Sequence, residues 1–198
     1  TIIALFPNLN DDRKLKILEC LPKILDFEQF LRLKGYSFIV SLFSSEKPSN
    51  SPKVIQMSVK MLRTIPLSSK GFRQVKLISS LSKCLNDDAL LFLADLCNYE
   101  DIAKQVADHY IPFNVKIGQE IILLKIYRNI LKFPKLRQKV AECLQPVHLA
   151  AVTIHDYPNE VCECLVNYGF VMDHSKLIIN IDLIPKIAEV ASQTPLAL

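Results

Sequence analysis

Apolar residues recur three and four positions apart along almost the whole chain, a period that fits helix rather than strand. Leu15, Ile17, Leu18 and Leu21 form the first such set, which Asp11 and Asp12 are placed to cap and which should end near Pro22. A shorter helix over 27–34 is expected to stop at Gly35 in a left-handed C-terminal cap. A helix over 36–44 follows, and then the loop Glu46-Lys47-Pro48-Ser49-Asn50. Ser51-Pro52 has the form of a helix start, a hydroxyl cap with proline in the first turn. That helix presents Val54, Ile55, Ser58, Val59, Leu62 and Ile65 until Pro66 stops it. Residues 72–85 repeat the pattern with Val75, Ile78, Leu81 and Leu85, and Asn86-Asp87-Asp88 caps a helix reaching Tyr99.

The second half reads the same way. Short helices are expected over 101–110, 135–144 and 146–156, with a long one over 115–133 that Pro134 breaks. Pro158 opens a helix through Tyr168 that Gly169 ends, and a last helix over 175–191 should kink at Pro185. Residues 192–198 look like a frayed tail. Isoleucines clustered over 177–183 make a weak case for a strand, and helix is preferred there.

Arg137-Gln138-Lys139-Val140-Ala141-Glu142-Cys143-Leu144 is a short helix, followed by Val147-His148-Leu149-Ala150-Ala151-Val152. A Tyr157-Pro158-Asn159 turn then leads into Val161-Cys162-Glu163-Cys164-Leu165-Val166-Asn167-Tyr168-Gly169. An earlier run has the same order: Phe30-Leu31-Arg32-Leu33-Lys34-Gly35, then Tyr36 to Phe43, a loop, and Val54 to Leu62. A third copy, with its middle helix degenerate, is suggested by 102–110 and Ile121-Ile122-Leu123-Leu124-Lys125-Ile126-Tyr127. The last two long helices start at Ile121 and Val161, a spacing inside the range of such repeat units. Short helix, middle helix, turn, long helix resembles the armadillo/HEAT type of α-solenoid. The resemblance implies an all-α fold, a right-handed superhelical stack of divergent repeats forming a single domain over 1–198. It also implies a protein-binding scaffold or adaptor, a subunit of a larger complex.

Composition narrows the alternatives. Half of the 198 residues are apolar and 22% are charged, which excludes a chain disordered throughout. Only 4 are glycine, too few for the turns of sandwiches and barrels or for a dinucleotide-binding loop. No apolar run reaches the roughly 18–20 residues that cross a bilayer, so no membrane partner is expected. The start, Thr1-Ile2-Ile3-Ala4-Leu5-Phe6-Pro7, lacks an initiator Met and a basic leader, and reads as a piece of something longer. Six cysteines are spread through the chain (Cys20, Cys84, Cys97, Cys143, Cys162, Cys164), five of them within apolar helical patterns, and are expected to be buried free thiols in an intracellular compartment, cytoplasm or nucleus.

The net charge of +4 conceals a segregation. Residues 47–86 carry eight bases and no acid, and residues 121–141 carry six bases and no acid. These stretches together hold +14, and the rest of the chain holds −10. Helical spacing puts Lys53, Lys60 and Arg63 on one stripe, Arg73, Lys76 and Lys83 on a second, and Lys125, Arg128 and Lys132 on a third. If the stripes merge, they form a ridge complementary to an acidic helix or extended segment of a partner protein. The competing reading makes them the solvated faces of core-packed helices. The alternative partner, nucleic acid, ranks lower because aromatics are not interleaved with the basic runs. Self-association through apolar ends, residues 1–9 and 177–198, is a further possibility.

Catalysis finds little support. Cys162 and Cys164, with His155 and His174, superficially offer zinc four ligands, but residues two apart on a helix point about 200° apart. His109, His148 and His155 lack the Gly-rich turn that exposes a nucleophile. Asp11-Asp12 and Asp87-Asp88 read as helix caps. The expectation is a non-catalytic module with no cofactor and no metal.

Overall fold

A computed structural model of the chain describes residues 5–24, 26, 35–43, 50–67, 70–73, 75–84, 86–109 and 118–143. Among the described residues the chain is helical and no strand occurs, an all-α protein. The helices are α1 (Asp11–Ile24), α2 (Tyr36–Leu42), α3 (Pro52–Leu62), α4 (Val75–Lys83), α5 (Asp87–Leu96), α6 (Glu100–His109), α7 (Glu120–Leu131) and α8 (Pro134–Cys143). Short 3₁₀ turns occupy Phe6–Asn8 and Lys70–Arg73. The expected elements over 27–34 and from 146 onward, the 177–183 isoleucine cluster and the 192–198 tail all lie outside the described residues.

The chain forms two compact units, Thr1–Ile102 and Ala103–Leu198, with the division falling inside α6. In the first unit α3 behaves as its sequence expects. The Ser51 hydroxyl accepts from the Val54 amide at 3.4 Å, Pro52 opens the helix, and Val54, Ile55, Ser58, Val59, Leu62 and Ile65 are all buried. Buried Ser58 donates to the Val54 carbonyl at 2.7 Å, so the hydroxyl in the core is satisfied. Asn86 caps α5, its side-chain oxygen accepting from the amides of Asp88 and Ala89 at 3.0 and 3.4 Å.

Within this unit α2 packs on α3, α4 on α5, α2 on α4, and α3 on α5, while α1 packs on α3. The four helices α2–α5 thus form a closed circuit in which α3 and α4 are diagonal. Their apolar side chains meet in one core that includes Phe38, Leu42, Leu62, Leu77, Ile78, Leu90 and Leu93. Phe6 stacks edge-on against Phe38, ring centres 4.8 Å apart, and seals the α1 end.

Several local expectations are corrected. Asn10, not Asp11 or Asp12, caps α1: its side-chain oxygen accepts from the Arg13 amide at 3.1 Å. The two aspartates sit in the first turn, where the helix dipole favours them. The end of α1 falls near Pro22 as expected, at Ile24. Gly35 is not a left-handed cap; its φ is −60° and it precedes α2 as the N-cap. The left-handed glycine is Gly118, φ +92°, ahead of α7. The helix expected over 72–85 is a 3₁₀ turn followed by the shorter α4. Cys84 and Cys97 are buried free thiols as expected, whereas Cys20 is exposed on the outer side of α1.

In the second unit α7 is largely buried. Ile122, Leu123, Leu124, Ile126, Tyr127, Ile130 and Leu131 are buried, whereas Ile121, Lys125 and Arg128 along one side are half-buried. It packs against α8 across a short turn, Lys132 and Phe133. Asp108 ties α6 to α8: it accepts from Lys104 at 2.7 Å and from Lys139. No helix among the described residues is long and apolar enough to cross a membrane.

Candidate interaction surface

The nine basic residues singled out by spacing are distributed over both units. Lys53 and Lys60 are exposed on α3, and Lys76 and Lys83 are exposed two turns apart on α4. No ion pair engages these four lysines among the described residues. Both helices pack on α2 and α5.

The two arginines of that block are held internally. Arg63, just beyond the end of α3, lies 2.6 Å from the Asp95 carboxylate, with its guanidinium 5.8 Å above the Phe92 ring. Arg73 lies 2.5 Å from Asp101 and 5.3 Å from the Tyr99 ring. Phe72, beside Arg73 in the chain, meets Phe92 edge-on at 5.5 Å. The two arginines and their rings thereby brace the end of α3 and the 70–73 turn against α5 and the start of α6. Guanidinium groups suit this better than ammonium groups, because they stack on a ring and pair with a carboxylate at once.

Spacing analysis missed the complement of this basic block. Between residues 84 and 103 the chain carries Asp87, Asp88, Asp95, Glu100 and Asp101 and no base. That acid-rich stretch folds back on the acid-free one. The signal was present in the sequence, as a charge reversal immediately after the basic run. What was absent was the contact between the two.

The third stripe is arranged differently. Lys125 and Arg128 are half-buried on α7, and Lys132 is exposed at its C-terminus. The packing of α7 explains the partial burial, since long basic side chains lay their stems along apolar neighbours. Lys135 is exposed in the first turn of α8. Arg137 donates from Nε to the Leu131 carbonyl at 2.9 Å, satisfying an acceptor at the end of α7 that the helix leaves open. Lys139 is committed to Asp108.

Titration chemistry is sparse. Side-chain hydrogen bonds from Lys104 and Lys139 hold the Asp108 carboxyl at about 2, below its ordinary 3.8. Burial pushes the Cys97 thiol well above the usual range, so it is an inert core group and not a nucleophile. No cluster of three metal-ligating side chains occurs among the described residues. His148, His155, Cys162, Cys164 and His174 lie outside them. Comparison with known proteins gives no match: no family model, no curated protein and no solved structure matches the chain.

Proposed function

We propose that the chain is a non-catalytic helical-repeat docking module, an intracellular scaffold that receives an acidic helix or extended segment of a partner protein. The observation that carries this reading is the packing of the first unit. The pair α2–α3 is followed by the pair α4–α5, with first helix on first helix and second on second. The starts of the paired helices, Tyr36 with Val75 and Pro52 with Asp87, lie 39 and 35 residues apart, short of the roughly 40–47 of armadillo/HEAT-type units. Stacked pairs of this kind propagate a solenoid whose outer helices form an extended binding surface. The exposed lysines of α3 and α4 and the basic end of α7 supply charge for a carboxylate-bearing partner. Free, buried Cys84 and Cys97 suit the cytoplasm or nucleus.

Nucleic acid is the weaker reading, because aromatics are not interleaved with the basic runs: of the two in the second block, Tyr127 is 2% exposed and Phe133 is half-buried. The test is affinity capture from nuclease-treated extract with wild type beside a Lys53→Glu/Lys60→Glu/Lys132→Glu/Lys135→Glu variant. Proteins held by wild type and lost from the variant are expected. Equal retention by both, or loss of all capture after nuclease treatment, refutes the reading.

A further inference from the structure

We propose that the solvent sides of α3 and α5 form a self-complementary surface through which the chain pairs with a second copy of itself about a two-fold axis. The proposal goes beyond the docking reading above, because it concerns a surface of mixed charge in which the lysines of α4 and α7 play no part.

The helical period gives α3 and α5 the same stripe with opposite charge. On α3, Lys53, Gln56 and Lys60 stand at i, i+3 and i+7 and are exposed. On α5, Asp88, Leu91 and Asp95 stand at the same intervals and are half-buried. The stripes also start alike. Lys53 is the second residue of α3, after the Ser51 cap and Pro52, and Asp88 is the second residue of α5, after the Asn86 cap and Asp87. The two charges of each stripe are about 10.5 Å apart along their helix, at about 1.5 Å per residue.

The two helices pack on each other, and Arg63, just beyond α3, reaches Asp95 in the last turn of α5 at 2.6 Å. That contact sets the C-terminal ends side by side, so the helices run in the same direction with their stripes close to level. Among the described residues no ion pair engages Lys53, Lys60 or Asp88. Arg63 holds Oδ2 of Asp95, which leaves the acceptor sites of Oδ1.

Mixed charge selects the partner. A segment of acids alone, or a nucleic acid strand, laid on Lys53 and Lys60 comes within one helix spacing, about 10 Å, of Asp88 and Asp95 and is repelled by them. The complement of this surface carries acids and bases in adjacent rows at the same interval, and the chain itself carries such rows. A half-turn about an axis parallel to the two helices, above the seam between them, lays α5 of the second copy on α3 of the first and the reverse. That rotation keeps direction and level, so Lys53 faces Asp88 of the second copy and Lys60 faces Asp95, each pair occurring twice. Leu91 meets Gln56 and the lysine stems. Contacts between groups this accessible give a weak, salt-sensitive dimer rather than a permanent one.

The experiment is sedimentation equilibrium on the nuclease-treated full chain over rising concentration, at low and high salt. A reversible dimer that weakens in high salt is expected. Lys53→Glu and Asp88→Lys should each weaken it at least about tenfold, because like charges then face each other twice. An equimolar mixture of these two variants should recover wild-type association, since the new acid of one faces the new base of the other. That recovery also shows that both variants are folded. Lys76→Glu on α4 should change association less than about twofold. A chain that stays monomeric up to about 1 mM at low salt overturns the proposal, as does a dimer that either variant leaves intact. A mixture no stronger than its components overturns it too.

Discussion

Removing Arg63 tests whether the first basic block is really held by the protein's own acids. Arg63 makes two contacts of different kinds: an ion pair with Asp95 at 2.6 Å and a cation–ring contact with Phe92 at 5.8 Å. The pair is well exposed, 49% and 38% for the two side chains, so its coupling belongs to the surface range of about 0.2–1 kcal/mol. The ring contact adds about 0.5–1 kcal/mol and is lost only when the arginine is removed. Asp95 stands in the last turn of α5, where the helix dipole opposes a carboxylate by about 0.3–1 kcal/mol, so deleting it recovers part of the loss. Arg63→Ala should therefore cost about 1–2 kcal/mol, and Asp95→Ala about 0.5 kcal/mol or less. The cycle completed with the double variant should give a coupling of about 0.5 kcal/mol, the middle of the range for exposed pairs. That coupling should fall further in concentrated salt, as screening of an exposed pair requires. Urea unfolding followed by circular dichroism measures all four corners. Asp95→Ala costing more than Arg63→Ala, or a coupling indistinguishable from zero at low salt, would refute the idea that this acid neutralises this base. Arg63→Lys is the discriminating control, because it keeps the charge and loses the planar stacking on Phe92.

Three further outcomes follow from the same geometry. Asn86→Ala removes both side-chain bonds at the start of α5 and should destabilise by about 1 kcal/mol, whereas Asn86→Asp should be tolerated in a thermal melt. Asp108 has a folded pKa of about 2 against an ordinary 3.8, so its stabilisation is full above about pH 4 and disappears as pH falls towards 2. With the carboxylate 23% exposed, that contribution is about 1 kcal/mol, and Asp108→Asn should flatten the acid limb of the stability–pH curve by this amount while leaving its neutral-pH slope unchanged. For the thiols, Cys20→Ser should delete one fast phase of maleimide labelling, while Cys97→Ser should leave the fast phases untouched.

Legibility followed how local the deciding forces are. The start of α3 was readable because a hydroxyl cap and a first-turn proline act within four residues, and its inward face was readable because burial follows the helical period. The cap of α1 was misread for the same reason in reverse. Asn10 and the adjacent aspartates are all competent to cap, and which one does so depends on a one-residue choice of entry angle. Gly35 has the composition of a left-handed terminator, but its φ of −60° is right-handed and it serves as the N-cap of α2. The packing of α2 on α4 and of α3 on α5 was not legible, because it joins helices far apart in the chain and no local pattern specifies it.

Buried Lys14 marks where one-dimensional reading ends. Its position on α1 is polar by any pattern, yet it is 7% exposed, donates to the Asn50 side chain at 3.0 Å and lies 5.7 Å from the Phe6 ring. Asn50 in turn donates to the Leu42 carbonyl at 3.0 Å. One ammonium thus links α1, the Phe6 turn, the end of α2 and the entry to α3, beside the helix end that best tolerates a positive charge. The same reasoning governs the charge blocks. A run of like charges along a chain describes a surface only after subtracting what folds against it and asking which sides of the fold the remainder occupies. For residues 47–86 the subtraction is large, because the acids of 87–101 lie one helix away and the arginines turn towards them. The same subtraction applies to residues 121–141, where Lys139 pairs with Asp108 and Arg137 turns to the Leu131 carbonyl, while the helical period sets Lys125, Arg128 and Lys132 along one side of α7.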